Sequence, residues 1–223
     1  PEYKAKNELN MVKQMLSRAY LSKRMDIELS SHYTIEFSPH GSDYSVEHKL
    51  MPLGTLLHIV AGNVDALPVF SVIEGLLTGN INIVKLPGAD NGLSIAFLNK
   101  LIEIEPAIAE YVYVFDYPSE EVESIQKMAQ VSDAIIIWGG DRAVSSVRSM
   151  ASPNTRIIEW GHKISFAYVS GEASDEDLQG IAYNICDTNQ LFCSSCQGIF
   201  LDTDDYDAVK TFAERFATIL DTA

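Results

Sequence analysis

Between Gly54 and Met150 the chain repeats one unit, a short run of consecutive apolar residues followed by a stretch with helical period. The runs are Thr55-Leu56-Leu57-His58-Ile59-Val60, Ile81-Asn82-Ile83-Val84, residues 111–115 and Ala134-Ile135-Ile136-Ile137-Trp138. Residues 67–77, 93–104, 120–130 and 142–150 carry their apolar side chains at helical spacing. A strand that is apolar throughout must be covered on both faces, and strands separated by helices run parallel. The repeat therefore predicts a parallel sheet with helices on both sides, the α/β class. Such sheets bind ligands at the carboxyl ends of their strands, so the loops there are the first place to look for a site.

Those loops are Ala61-Gly62-Asn63-Val64-Asp65, Lys85-Leu86-Pro87-Gly88 and Trp138-Gly139-Gly140-Asp141. None spells Gly-x-Gly-x-x-Gly, and by spacing alone they are glycine turns. A sharper signal lies further on, in Asn189-Gln190-Leu191-Phe192-Cys193-Ser194-Ser195-Cys196-Gln197-Gly198 followed by the apolar run Ile199-Phe200-Leu201. It puts a thiol on a small polar turn at the edge of a strand, where a nucleophile can meet a substrate. A cysteine becomes reactive when a base, a cation or backbone N–H groups favour its thiolate. A carboxylate candidate, Glu159, stands 34 residues upstream in Arg156-Ile157-Ile158-Glu159-Trp160-Gly161-His162-Lys163.

Cys193 and Cys196 also spell Cys-x-x-Cys. A redox pair belongs at a strand-to-helix turn, whereas these residues precede a strand, and a structural zinc site needs a second pair. Cys186 falls on the apolar side of a helix expected over residues 178–186 and reads as a buried small hydrophobe. A strand over 164–169, a polar turn at 171–175 and a closing helix over 206–220 complete this part of the chain. Before the repeat, residues 7–29 carry Leu9, Val12, Met15, Leu16, Tyr20 and Leu21 at helical period, an ordinary amphipathic pattern. Residues 33–37 and 44–48 alternate around a turn at 38–42, as a hairpin would. His32, His40 and His48 come without a cysteine or carboxylate pattern, so they read as surface-strand residues and no metal site is expected.

A formal net charge of −15 and a pI near 4.6 argue against nucleic acid or an anionic membrane as partner, since both call for a basic face. No apolar run reaches transmembrane length, no signal peptide is visible, and three cysteines fit a reducing cytoplasm better than a disulfide framework. With Pro1 in place of an initiator methionine, the chain reads as a trimmed fragment.

At the Glu159 and Cys193 motifs the sequence resembles the aldehyde dehydrogenase superfamily, and within it most closely the long-chain fatty acyl-CoA reductases of bacterial bioluminescence operons. The wider family carries Glu-Leu-Gly-Gly-Lys, then Gly-Gln-x-Cys, then a strand, with the spacing found here. Gly161 is kept, but His162 replaces the second glycine, Asn189 replaces the glycine before Gln190, and one extra residue separates Gln190 from Cys193. Asn-Gln followed by Cys-Ser-Ser and Gln is similar to the acyl-CoA reductase branch.

The resemblance implies an aldehyde-dehydrogenase-like, Rossmann-type sheet with helices on both faces and the beginning of a second α/β domain. Its divisions would be an N-terminal helix and hairpin arm at 1–50, used for contacts in a homo-oligomer, a dinucleotide-binding domain at 51–162, and the truncated start of a catalytic domain at 163–223. It implies Cys193 as nucleophile, Asn63 with a backbone N–H as oxyanion hole, Lys85 on the adenosine ribose and a small-residue loop at Gly139 and Gly140. Glu159, which activates water in oxidising members, would here assist proton transfer or tune Cys193. Gly88 stands where NAD enzymes often place a glutamate, which implies NADPH as cofactor. The implied reaction is reduction of a fatty acyl-CoA or acyl-protein thioester to an aldehyde, in company with acyl-transferase and acyl-protein synthetase subunits. The rest of the acyl tunnel and of the nicotinamide contacts would lie in a remainder outside this half. An oxidising aldehyde dehydrogenase and a non-catalytic nucleotide-binding module are the alternatives, the first disfavoured by the Asn189-Gln190 loop.

Overall fold

The structure, a computed structural model, describes residues 10, 12–29, 34–37, 44–47, 50–64, 66–187, 190 and 192–223. Residues 7–9 of the expected first helix, the turn at 38–42, His32, His40, His48, Asp65, Asn189 and Leu191 lie outside the described residues. Helix α1 (Arg18–Leu29) precedes an antiparallel pair, β1 (Thr34–Phe37) and β2 (Tyr44–Glu47), matched Thr34 to Glu47 and Phe37 to Tyr44. No residue of α1 is fully buried, but of the apolar positions expected on this segment Val12, Met15, Leu16 and Leu21 are half-buried, while Tyr20 is exposed. Arg24 of α1 pairs with Glu74 at 2.6 Å and lies over the Phe70 ring.

The next elements are β3 (Thr55–Ile59), α2 (Leu67–Leu77), β4 (Ile81–Lys85), α3 (Leu93–Ile104), β5 (Val112–Phe115), α4 (Val122–Gln130), β6 (Ala134–Trp138), α5 (Asp141–Met150) and β7 (Arg156–Trp160). A 3₁₀ turn, Pro106–Glu110, leads into β5. The five strands form one parallel sheet in the order β5-β4-β3-β6-β7, so the topology reverses beside β3. Strand β7 carries Glu159 and is absent from the sequence-based expectation. Its two isoleucines lie between Arg156 and Glu159, and at the sheet edge most of its residues remain exposed.

Alternation along the strands divides the core in two. Leu57, Ile83, Ile135 and Ile137 face α4 and α5, packing on Ile125, Met128, Ala129 and Val147. Val84 and Val112 face α2 and α3, packing on Val69, Val72 and Leu98. The second face also buries a polar chain. His58, wholly inaccessible, shares hydrogen bonds with Ser71 Oγ through Nδ1 at 2.7 Å and with Asn82 Oδ1 through Nε2 at 2.9 Å. Since Asn82 Oδ1 can only accept, Nε2 carries the proton and Nδ1 accepts from the serine hydroxyl.

Burial pushes the His58 pKa down to about 4 from its ordinary 6.5, with the Asn82 bond opposing. The folded protein thus holds a neutral imidazole that the unfolded chain would protonate. The stability from this group is full above about pH 6.5 and is lost as pH falls toward 4, a range worth about 3 kcal/mol. Urea unfolding followed from pH 7.5 to pH 4.5 should therefore show a loss that His58→Gln reduces; an identical pH slope in the variant would exclude His58 as its source.

After β7 come β8 (Ser165–Val169), α6 (Asp175–Asp187), β9 (Cys196–Leu201) and α7 (Tyr206–Leu220). Strands β8 and β9 make a separate two-stranded parallel sheet with its own core of Val169, Leu178, Ala182 and Phe216. Among the described residues no helix is long and apolar enough to cross a membrane.

Candidate functional site

The parallel sheet brings five of the sequence-selected positions to its carboxyl edge. Lys85 ends β4 and pairs in register with Ile59 and Phe115. It is only 5% exposed, so it is no ordinary solvated strand-end lysine, and its Nζ donates to Ser119 Oγ at 3.3 Å. Burial pushes its pKa down, while the Asp116 and Glu120 carboxylates act against that shift. Gly88 follows on an exposed loop where a Cβ would meet nothing within 4 Å. Asn63 lies exposed in the turn after β3.

Gly139 and Gly140 join β6 to α5. The Gly139 N–H donates to the Trp160 carbonyl at 3.3 Å, Gly140 caps α5 without a side-chain bond, and a Cβ at Gly140 would meet open space. A ten-residue helix begun by a small, open residue offers N–H groups to an anion. A desolvated lysine at one strand end and an open helix start two strands away suit the ribose and pyrophosphate of an extended dinucleotide, so the residues present fit such a cofactor. Trp138 and Trp160, the only two tryptophans of the chain, stack at 4.9 Å beside this loop.

Glu159 ends up differently placed from a free base. Alternation puts it on the same face of β7 as Ile157, which packs toward α4 and α5. There it forms an ion pair with Arg148 of α5. Arg148 was not singled out from sequence, where a basic residue near a helix end carries no special mark.

Cys193 is presented by the second set of elements. Residues 192–195 form a turn closed by Ser195 N–H on the Phe192 carbonyl at 3.0 Å and by Phe192 N–H on Ser195 Oγ at 3.2 Å. Ser195 is buried and Cys193 is exposed at the head of β9. Ser165 Oγ donates to the Cys193 carbonyl at 2.6 Å, and the Cys196 N–H donates to Asn184 Oδ1 at 2.8 Å. The Gln190 side chain donates to the Cys196 carbonyl at 3.0 Å from a residue held at φ 58°. Among the described residues nothing accepts from the Cys193 N–H. The exposed thiol thus sits beside a backbone N–H with no acceptor among the described residues.

The other two thiols differ in exposure. Cys186 is exposed rather than buried, because the apolar face of α6 runs through Leu178, Ile181, Ala182 and Ile185 and Cys186 lies at its margin. Cys196 is the buried one, its Sγ turned to the Gly198 carbonyl at 3.1 Å. Among the described residues no group of three His, Cys, Asp or Glu side chains could hold a metal ion.

A family model described as acyl-CoA reductase (LuxC) matches residues 2–223. The long-chain acyl-protein thioester reductase of Vibrio harveyi is 29% identical over 212 residues, covering 92% of this chain and 44% of that protein. Long-chain acyl-protein thioester reductase 2 of Photobacterium leiognathi is 30% identical over 209 residues, covering 91% and 43%. The chain thus spans less than half the length of these curated relatives. Among solved structures, Rhodopseudomonas palustris propionaldehyde dehydrogenase with bound propionyl-CoA superposes with a TM-score of 0.68 at 17% identity, over 98% of this chain and 52% of that one. An engineered glycolyl-CoA reductase with bound NADP+ gives 0.67 at 17%, over 98% and 54%. At such identities the structural likeness establishes the fold, a parallel α/β arrangement shared with aldehyde-dehydrogenase-like acyl-CoA reductases.

Proposed function

The chain belongs to the acyl-CoA reductase (LuxC) family, and from that premise we propose that it carries the nucleotide-binding half and the nucleophile of an NADPH-dependent reductase converting long-chain fatty acyl thioesters to aldehydes. The substrate class follows the names of the curated relatives. The observation that carries the reading is Cys193, exposed on an anchored turn with its own N–H unclaimed by the described residues. In this reading residues 1–50 are an oligomer-contact arm, 51–162 the dinucleotide domain and 163–223 the opening of the catalytic domain. Acyl-transferring and acyl-protein-synthesising subunits would deliver the thioester.

The Cys193 thiolate attacks the acyl carbonyl carbon, and the oxyanion accepts from the Cys193 N–H and the Asn63 amide. Each such donor is worth about 3 kcal/mol of barrier. Collapse of the tetrahedral intermediate expels the carrier thiolate, coenzyme A or a protein thiol, and leaves acyl-Cys193. Acyl-Cys193 would take hydride at its carbonyl carbon from the reduced nicotinamide, which is the chemistry that group would supply when bound. The thiohemiacetal on Cys193 then releases aldehyde and regenerates the thiol. Lys85 would hold the adenosine ribose, and the backbone N–H groups at Gly139 and Gly140 would hold the pyrophosphate. Gly88 leaves room, and no carboxylate of its own, beside a 2′-phosphate. Arg148 engages Glu159, which suits a reductase, because a carboxylate free to activate water would divert the acyl-enzyme to fatty acid.

Intact-mass measurement on a chain of full family length, incubated with tetradecanoyl-CoA, tests this. A stoichiometric tetradecanoyl adduct should form and be discharged as aldehyde by NADPH, with kcat/KM for NADH lower by about tenfold, a difference of about 1.4 kcal/mol. No adduct would sink the reductase reading, and equal efficiency with the two cofactors would sink the NADPH preference alone.

A further inference from the structure

We infer that Ser165 and Asn184 are positioning residues for Cys193, a strand side chain and a helix side chain that clamp the backbone at the Cys193 carbonyl and at the Cys196 amide three residues on. The inference rests on the reading of Cys193 as nucleophile and adds the parts that make the turn a fixed one. A nucleophile must be held within about 0.5 Å of its productive place by groups that are themselves locked. The turn cannot do this alone. Its internal bonds, Ser195 to Phe192 in both directions, close the loop upon itself. Gln190 adds a bond to the Cys196 carbonyl, yet it belongs to the same loop and would move with it.

Ser165 and Asn184 come from elsewhere and stand on packed elements. Ser165 opens β8, whose Ala167 and Val169 pack into the core beside α6 and α7. Asn184 lies on α6, anchored by wholly buried Leu178 and Ala182. The two strands carry a register irregularity at this point: Ser165 is opposite Cys196 but Ala167 is opposite Ile199, so two steps of β8 span three of β9. Bulges of this kind re-aim a side chain next to a site. Here the result is a serine at the level of the turn, with Oγ 2.6 Å from the Cys193 carbonyl. From the helix side, Asn184 Oδ1 takes the Cys196 N–H at 2.8 Å. The clamp engages the carbonyl of Cys193 and the amide three residues on, and so leaves the Cys193 N–H for the oxyanion. An open cleft of about 330 Å³ runs along the same elements, lined by Ser165, Asn184, Ser194 and Cys196 among others, so the clamp borders accessible space rather than sealed core.

The test follows iodoacetamide alkylation of Cys193 by peptide mass in this chain, with exposed Cys186 as internal reference, in Ser165→Ala, Ser165→Thr, Asn184→Ala and Asn184→Asp. Both alanine variants should slow Cys193 about tenfold, the effect of one net hydrogen bond, while Cys186 keeps its wild-type rate; Asn184→Ala also strips the Cys196 N–H of its acceptor, so its rates are read well below its lowered thermal midpoint. Threonine keeps the donor and aspartate keeps the acceptor, so each should restore most of the rate. Wild-type rates in both alanine variants, or conservative variants as slow as alanine, would overturn the clamp. If wild-type Cys193 reacts no faster than Cys186, the nucleophile reading fails first, and the clamp with it.

Discussion

On the proposed reading, Cys193→Ala in a chain of full family length is expected to abolish the acyl adduct and to lower aldehyde formation by about 10⁴-fold or more, the scale seen when a covalent nucleophile is removed. Its other effects should be small. The side chain is exposed at the head of β9 and no packing rests on it, so stability should stay within about 0.5 kcal/mol of wild type. Nucleotide binding should also survive, because Lys85, Gly139 and Gly140 belong to a different sheet. That can be read in this chain carrying the same substitution, where both tryptophans stack beside the Gly139 loop and their quenching on titration with NADPH reports occupancy. Loss of adduct with retained quenching would assign Cys193 to acyl transfer alone. Retained adduct would send the nucleophile elsewhere, and the same experiment on Cys186→Ser and Cys196→Ser would show where.

What the sequence made legible follows from where each element is buried. Strands β3 and β6 are continuous apolar runs because both of their faces are covered, and the helices Leu67–Leu77, Leu93–Ile104 and Tyr206–Leu220 fall where the periodicity puts them. Strand β7 escaped because an edge strand keeps only a residue or two of that signature. Lys85 and Cys193 were found by their loops, but their surroundings were not readable. The burial of Lys85 depends on β5 and its loop closing over it, and the Arg148 partner of Glu159 depends on which face of β7 the carboxylate takes. Ser165 and Asn184 carried no signal at all. A serine opening a strand and an asparagine on an amphipathic helix are ordinary residues until a register shift and a helix position aim them at one turn.

The largest effect on stability is expected at Gly75, which no motif marks. It lies buried inside α2, where helix propensity alone would make alanine better by about 1 kcal/mol. The contacts reverse that sign. A Cβ at this position would fall 1.8 Å from Asn82 Oδ1, 2.9 Å from its Cγ and 3.2 Å from Leu56 Cδ1. Asn82 cannot retreat cheaply, because it is wholly buried, accepts from His58 Nε2, and donates to the carbonyls of Asn80 at 2.9 Å and Tyr111 at 3.3 Å. Moving it would break a chain in which each orphaned buried group costs about 1–3 kcal/mol, and overpacking adds a similar amount. Gly75→Ala should therefore destabilise by about 3 kcal/mol net and lower the thermal midpoint by about 10 °C. The cause can be separated from a general helix defect by a double-mutant cycle with Asn82→Ala. That second change removes the atom that clashes, so the double variant should be markedly less destabilised than the two singles together, a coupling of at least about 1 kcal/mol. Additive effects would mean that α2 approaches β4 less closely than this, and that the glycine is dispensable.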